Sequence, residues 1–430
     1  MSLRVLVGAA LVAAALILNP WVLDRTIVLD GSIHDRGRVL LGELALAIAG
    51  IVLIVWGRRA AGRERLSGRR RLFAGLAFGL GLVLSLFFAE MTLRTVVDPA
   101  LVLEGEQWSE YVWRARHAPG REPVRAGSYE YDRYHPLLGW TPAANYAKDG
   151  VHTNSLGLRG RREYPFERQP GMRRIVLIGD SYTWGEQTWH DVIRDDQTFA
   201  ALLEQRLACT EAINLGVHGW GTDQQYLYLR ELGLRFQPDL VVLGFFESDS
   251  ERNVVDFFGY SKPRFRLEAG ALVLTNTPVP DGPALLETPF EMPRSYLFSL
   301  MRKGWNTVLD RTRLRPIESR EEWHVTRALF EAARRETEAA GAQFLLMDIP
   351  YHAREQPTPM AKTVAAWAAE SGTRLLELRE HFIRLPRSEW DVLHDGHFTA
   401  RGHAETAEAL VRSIEQERLL PALGPCGAEG

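Results

Sequence analysis

The sequence lacks several features that would indicate particular classes of function. Its 430 residues include two cysteines and four lysines, and they contain no internal repeat or low-complexity tract. The 51 basic and 54 acidic side chains nearly balance, leaving a formal net charge of -3. Nothing in that balance predicts a nucleic-acid partner. No cluster of histidines and carboxylates predicts a bound metal, and we expect no cofactor.

The apolar residues are concentrated in three segments near the N-terminus. They cover residues 5–23, 39–56 and 72–88, each close to the ~20 residues that span a bilayer as a helix. Two spans after the first favour a retained anchor over a signal peptide. The loop between the second and third spans holds one acid, Glu64, and seven arginines: Arg58, Arg59, Arg63, Arg65, Arg69, Arg70 and Arg71. The positive-inside rule places this loop in the cytoplasm, so residues 1–90 predict a multi-pass anchor in the cytoplasmic membrane, with the remaining chain outside.

The rest of the chain reads as a lead-in, an α/β domain and a tail. Residues 91–172 are rich in Arg, Tyr, Trp and Pro, and we expect them to pack on the domain at 173–420. Buried strands are predicted at 174–178, 212–216, 240–246, 344–349 and 374–378, with helices at 223–234, 320–341 and 400–419. A hairpin insertion near 263–278 interrupts this alternation, and 421–430 form the tail.

The two cysteines, Cys209 and Cys426, lie at predicted helix ends. Outside the cytoplasm they could form a disulfide that ties down the C-terminus. They could equally be two independent, inert thiols. Both interpretations stay open at this point.

Two short stretches carry residues suited to nucleophilic catalysis. Gly179-Asp180-Ser181 follows the first predicted strand, and the carboxyl ends of parallel strands are where ligands bind. Asp395-Gly396-His397 precedes the last helix, so it could supply a base and an orienting acid. Either stretch alone is weak evidence, since turns favour small polar residues. An Asp-x-His could also be half of a metal site, although no matching ligands occur elsewhere.

Taken together, three blocks in this order resemble the SGNH hydrolase (GDSL-like esterase) superfamily over roughly residues 134–420. The blocks are 179–181, 214–221 and 397–403. The resemblance implies a flavodoxin-like three-layer α/β/α sandwich following the three transmembrane helices. It implies Ser181 as nucleophile, His397 as base, and the backbone amides of Ser181 and Gly216 as oxyanion donors. The Gly-x-Ser-x-Gly elbow of the α/β-hydrolases is absent, because Thr183 occupies its last position.

The last block departs from the usual pattern of the family. The acid normally precedes the histidine by three residues, whereas Asp395 precedes His397 by two. This spacing resembles that of alginate O-acetyltransferase-like proteins. Asp391 and His394 have the usual spacing, but nothing after His394 matches the block. We therefore favour Asp395 as the acid that orients His397.

A further block of the family, which follows the third strand, also differs from the family pattern. Where the family offers Asn-Asp after the third strand, this chain has Ser248-Asp249, with Asn253 further on. We expect Ser248 or Asn253 to complete the oxyanion hole, and Asp180 and Asp249 to support the site.

The function implied is two-step acyl transfer from an ester, expected to be an acetyl ester of a carbohydrate. Release of the acyl group to water would make the chain an esterase. Transfer to a sugar hydroxyl would make it an O-acyltransferase of cell-surface polysaccharide. A third alternative is a polysaccharide-binding protein with weakened catalysis, which the serine at position 248 would favour.

Overall fold

The computed structural model describes residues 5, 7–9, 11–12, 47–55, 68–103, 105–118, 121–311, 316–353 and 356–422. The chain divides into two compact units. One comprises Met1–Tyr111 with Phe290–Arg315, and the other comprises Val112–Pro289 with Pro316–Gly430. The predicted boundary at residue 90 falls inside a helix, and the predicted domain at 173–420 is interrupted by a segment that belongs to the first unit.

The helices of the described chain are α1 (Gly68–Val96), α2 (Pro99–Val102), α3 (Gly105–Arg116), α4 (Ser181–Trp184), α5 (Phe199–Arg206), α6 (Thr222–Glu231), α7 (Ser248–Arg252), α8 (Gly282–Glu287), α9 (Tyr296–Arg311), α10 (Glu321–Ala339), α11 (Pro359–Ser371), α12 (Leu378–Phe382), α13 (Arg387–Trp390) and α14 (Ala400–Glu417). The strands are β1 (Asp132–His135), β2 (Gly139–Pro142), β3 (Ala147–Lys148), β4 (Val151–His152), β5 (Arg173–Gly179), β6 (Thr210–Gly216), β7 (Leu240–Phe246), β8 (Arg264–Glu268), β9 (Ala271–Thr275), β10 (Gln343–Ile349), β11 (Leu375–Glu377), β12 (His394–Asp395) and β13 (His397–Phe398).

In the first unit, α1 contains the third predicted apolar segment. Its stretch Gly79–Val96 is the one helix among the described residues that is long and apolar enough to cross a membrane. The first two predicted spans lie largely outside the described residues, so the expectation of three transmembrane helices is not confirmed. Gly8 and Gly50, which are described, approach so closely that a Cβ on either would overlap the backbone oxygen of the other.

The second unit is built on a five-stranded parallel sheet in the order β11-β10-β7-β5-β6. Side chains alternate between its two faces, as the pleat of a strand requires. On β5, Ile175 and Leu177 pack in a core with residues of α5, α12 and α14. Val176 and Ile178 pack in a second core with residues of α6, α10 and α11. Helices therefore cover both faces, and the prediction of an α/β fold with a buried parallel sheet is confirmed.

The order of the strands places β5 between β7 and β6, next to the proposed site. The chain runs from β5 to β6 on one side and then to β7 on the other side of β5. Such a reversal opens a crevice at the carboxyl ends of the strands. The predicted insertion forms the antiparallel hairpin β8–β9.

Cys209 is disulfide-bonded. This agrees with the first of the two alternatives left open by the sequence. The other cysteine of the chain, Cys426, lies outside the described residues.

Candidate active site

Ser181 lies in the turn where the central strand β5 meets the short helix α4. β5 ends at Gly179, and Asp180 caps the helix by accepting the Tyr182 N–H on Oδ1 at 3.0 Å. Gly185, at φ 83°, ends the helix after one turn. Ser181 thus begins a helix at the carboxyl end of the sheet, with 7% of its surface exposed.

Three glycines allow α4 to rest directly on the strand ends. A Cβ at Gly179 would lie 2.1 Å from Thr183 Oγ1, and a Cβ at Gly244 would lie 2.7 Å from the same atom. A Cβ at Gly216 would lie 2.3 Å from the backbone nitrogen of Trp184. Real Cβ atoms do not approach other atoms so closely, so glycine is required at the ends of β5 and β6 and two residues before the end of β7 for the helix to keep this position.

The predicted base is in contact with the predicted nucleophile. His397 Nε2 lies 3.0 Å from Ser181 Oγ, within hydrogen-bond distance. The Tyr182 ring packs 5.1 Å from the His397 ring and 4.8 Å from the ring of Phe398. The residue after the nucleophile therefore helps to position the base. Proton transfer between Ser181 and His397 requires this contact.

The alternative base, His394, lies in the core instead. Its ring packs against Phe382 and Phe398, and 6% of the residue is exposed. Burial lowers the pKa of His394 to about 3. A histidine in this environment stays neutral near pH 7, and its neighbours are aromatic rings.

Asp395 differs from its predicted role in the described structure. Its Oδ2 accepts hydrogen bonds from Nδ1 of His190 at 2.8 Å and from the His190 backbone N–H at 3.2 Å. The hydrogen bond from His190 holds the pKa of Asp395 below its ordinary value and raises the pKa of His190. Asp395 is the cross-strand partner of His397, but its carboxylate is bound to a loop. Orientation of His397 by Asp395 therefore stays a proposal.

The loop that holds Asp395 also covers the turn before the base. Trp189 donates its backbone N–H to the Asp395 carbonyl at 3.1 Å, and its indole lies against Gly396. The side chain of Trp189 is nevertheless 81% exposed. No pattern in the sequence indicated this loop, because His190 and Asp395 are 205 positions apart.

The prediction that Gly216 is an oxyanion donor is corrected by the contacts of its N–H. Its N–H donates to Asn214 Oδ1 at 2.9 Å, and the Asn214 amide donates to the Thr183 carbonyl at 2.8 Å. Gly216 is thus required for close packing, and its amide is already engaged. Within the described part of the chain, neither the N–H of Ser181 nor the N–H of Gly219 donates a hydrogen bond. Gly219, at φ 73°, follows β6 in the same sequence block, and we take it as the better second donor.

Asn253 is also misassigned by the sequence prediction. It is fully buried, donating to Thr326 Oγ1 at 2.8 Å and accepting the Asp223 N–H at 3.0 Å. Its amide therefore joins α6 to α10. Ser248 begins α7 directly beyond β7, and its hydroxyl lies 2.7 Å from the Tyr351 hydroxyl, where either group can donate. A contribution of Ser248 to oxyanion binding stays a prediction.

The two supporting carboxylates are held together by a residue that sequence analysis missed. Nη1 of Arg252 donates to Asp249 Oδ1 at 2.8 Å, to Asp180 Oδ2 at 3.3 Å and to the Trp220 carbonyl at 3.0 Å. Burial and the nearby Asp180 raise the pKa of Asp249, while Arg252 lowers it. The spacing of Asp249 and Arg252, three residues apart on a helix, was the available signal.

No family model and no curated protein matches this chain. Solved structures that it resembles include a lipase/acylhydrolase from Enterococcus faecalis, at 18% identity over 59% of this chain and 100% of that one. An acetylxylan esterase from Geobacillus stearothermophilus, solved as a catalytic mutant, is 15% identical over 56% and 94%. A GDSL-like lipase from Bacteroides thetaiotaomicron is 13% identical over 57% and 89%. The TM-score is 0.32 in each case, so the functional proposal below depends on the geometry of the site.

The first prediction separates the two candidate bases. We expect His397→Gln to lower kcat/KM on an activated acetyl ester by roughly 10²–10⁴-fold, since general base catalysis is lost. His394→Gln is the matched control and should stay within a few-fold of wild type, provided that circular dichroism shows it to be folded. A large loss in the His394 variant combined with an active His397 variant would contradict the assignment.

The second prediction concerns the competition for Asp395. If Asp395 orients His397 during catalysis, Asp395→Asn should lower kcat on the order of 10²–10⁴-fold. His190→Ala should raise kcat where the ion pair with His190 is formed, because the carboxylate is then released toward His397. Since Asp395 raises the pKa of His190, the ion pair strengthens as the pH falls and is lost as the pH rises through that pKa. The gain in the His190 variant should therefore be largest at low pH and vanish at high pH.

Kinetic profiles of the wild type and both variants between pH 5 and pH 9 measure this directly. A His190→Ala variant that is as inactive as Asp395→Asn at every pH would show that the pair acts as a structural unit, and the orienting role of Asp395 would be rejected.

Proposed function

We propose that this protein is a serine esterase that removes an acyl group, expected to be acetyl, through an acyl-enzyme on Ser181. The observation that supports this most strongly is the 3.0 Å contact between Ser181 Oγ and His397 Nε2 at the carboxyl end of the sheet. The two residues come from stretches 216 positions apart in the sequence. A serine hydroxyl in contact with an imidazole is suited to acyl transfer when backbone N–H groups that make no other hydrogen bond are available to the oxyanion.

The proposed reaction has two halves. Ser181 Oγ attacks the ester carbonyl carbon while its proton passes to His397 Nε2. The oxyanion that forms accepts hydrogen bonds from the N–H groups of Ser181 and Gly219. His397 then returns the proton to the leaving alcohol as the C–O bond breaks. In the second half, water attacks the acyl-enzyme, His397 takes its proton, and Ser181 regains it as the acid leaves.

A cavity lined in part by Trp184, the last residue of α4, supports a carbohydrate ester as the substrate. Neither Ser181 nor His397 lines this cavity, so it would hold the sugar and not the ester bond that is broken. It has a volume of about 210 Å³, and its lining includes Tyr129, Tyr131, Tyr146, Trp184 and Glu186. Oε2 of Glu186 is buried and has no hydrogen-bond partner among the described residues. Burial, and then the Glu186 carboxylate, raise the pKa of the Tyr129 phenol. Aromatic faces can pack on the C–H face of a sugar, and a carboxylate can accept its hydroxyl protons.

The proposed location is the outer face of the cytoplasmic membrane. Three observations support it: the apolar helix Gly79–Val96, the seven arginines between residues 58 and 71, and the disulfide at Cys209. Disulfides persist in oxidising compartments and are rare in the cytosol. The arginine-rich loop would then face the cytoplasm, and Ser181 would face outward.

The third prediction tests the reaction and its acceptor. Purified full-length protein is incubated with an activated acetyl ester, with and without an oligosaccharide, and both free acetate and acetylated sugar are followed. An esterase should release acetate at a rate that the oligosaccharide leaves unchanged, and Ser181→Ala should abolish the release. Transfer of acetyl to the sugar at the expense of free acetate would replace the esterase by the O-acyltransferase alternative. Absence of both products, with protein that is folded, would favour the weakened binding protein.

The fourth prediction tests the topology. A reporter that is active only outside the cytoplasm should be active when fused after Gly430 and silent when fused near Ser67. The same two fusions with a reporter that requires the cytoplasm should give the opposite pattern. Activity of the outside reporter at Ser67 and silence at Gly430 would overturn the proposed orientation.

A further inference from the structure

Helix α9 (Tyr296–Arg311) presents a surface that the proposed esterase does not use. Within the first unit, one side of α9 is buried: Tyr296 and Leu300 pack in a small core with Leu93, Val102 and Leu103. This side accounts for the attachment of α9 to α1 and α2. It leaves the opposite side of the helix facing outward.

The outward side of α9 is apolar as well. Phe298, Met301, Trp305 and Val308 are 65%, 60%, 63% and 46% exposed. Their spacing of three, four and three residues places them in one stripe along the helix. An exposed apolar stripe that includes Phe, Met and Trp is costly in water and marks a surface that binds something apolar.

The position of α9 indicates what that apolar partner is. Glu90, on α1, accepts the backbone N–H groups of Tyr296 and Leu297 at 2.9 Å each, and so caps the start of α9. Arg94 of α1 donates to the Arg294 carbonyl at 2.6 Å. α9 therefore begins against the last turns of the helix that is apolar enough to cross a membrane.

Exposed apolar side chains occur on α1 as well as on α9. On α1, Leu80, Val83, Phe87 and Met91 are 61%, 62%, 57% and 45% exposed. If lipid covers these side chains, then lipid lies next to the start of α9. A membrane surface at this level would also cover the stripe of α9.

The charge of the segment is suited to lipid headgroups. Between residues 294 and 315 the sequence has one acid, Asp310, and six basic residues: Arg294, Arg302, Lys303, Arg311, Arg313 and Arg315. Aromatic and aliphatic residues on one face, combined with basic residues, are typical of helices that lie in the interface of a bilayer. Basic residues on an interfacial helix add electrostatic attraction to anionic lipids.

We propose that α9 is an interfacial membrane helix, with the stripe Phe298, Met301, Trp305 and Val308 inserted among the lipids beside the end of α1. The helix lies along the membrane surface and does not cross it. Lys303 donates to the Leu101 carbonyl at 3.3 Å, so the other basic residues of the segment contact the headgroups, and anionic lipids strengthen the binding. This adds a second, lateral membrane contact to the anchor and does not depend on the esterase reaction.

The experiment uses full-length protein in lipid vesicles. Met301→Cys places an environment-sensitive fluorophore on the stripe, and Asn306→Cys, also exposed but off the stripe, is the matched control. Vesicles contain lipids brominated along the acyl chain, which quench a fluorophore that enters the bilayer. We expect several-fold stronger quenching at position 301 than at position 306, and a blue-shifted emission at 301 that increases with the anionic lipid content.

Equal quenching at both positions, or none at position 301, would overturn the proposal. A fluorophore at Phe87→Cys reports separately on α1, so that failure of the anchor and failure of the α9 contact can be distinguished. Protection of position 301 that grows with protein concentration, without quenching by brominated lipid, would assign the stripe to a second copy of the chain and would reject the membrane as its partner.

Discussion

The site depends on one steric constraint, which is the close approach of α4 to the ends of three parallel strands. Thr183 and Trp184 occupy the space that a Cβ would take at Gly179, Gly216 and Gly244. Because the helix rests on the sheet, Ser181 is fixed at the first position of the helix. Gly179 and Gly216 are register partners, so the two loops that follow them start side by side. The proposed oxyanion donors come from those two loops.

The guanidinium of Arg252 compensates the two carboxylates that are buried beside α4. Asp180 and Asp249 are fully buried carboxylates, and two such charges close together are costly unless a cation compensates them. Arg252 contacts both, and it also binds the carbonyl of Trp220, which follows Gly219. One side chain therefore connects the turn of the nucleophile with the loop of the proposed second oxyanion donor. Truncating the Arg252 side chain would leave two buried carboxylates without the cation that compensates them.

The sequence predicted the features that short patterns encode. Apolar runs identified the five strands. A glycine followed by Asp-Ser pointed to Ser181 as the proposed nucleophile, and the block that begins at His397 pointed to the proposed base, and the two side chains are in contact. Features that depend on long-range packing were missed. The pairing of Asp395 with His190 joins residues 205 positions apart. The roles of Gly216 and Asn253 were misassigned, because a glycine needed for packing and a buried structural amide have the same letters as oxyanion donors.

The proposed membrane contact of α9 also depends on packing between residues that are far apart in the sequence. Its stripe could have been found from the spacing of Phe298, Met301, Trp305 and Val308 alone. No pattern in the sequence indicated that residues 290–315 return to the first unit, because the contacts of Glu90 with Tyr296 and Leu297 span more than 200 positions. Periodicity reveals an apolar face, and only the structure shows which surface lies next to it.

The central claim is that Ser181 is the nucleophile. It is tested most directly by reacting the full-length protein with a serine-directed fluorophosphonate and locating the adduct by peptide mass mapping. A single adduct on the peptide containing Ser181, absent from a folded Ser181→Ala variant, is the result predicted by the contact between Ser181 and His397. An adduct on another serine, or labelling that persists in the Ser181→Ala variant, would contradict the account.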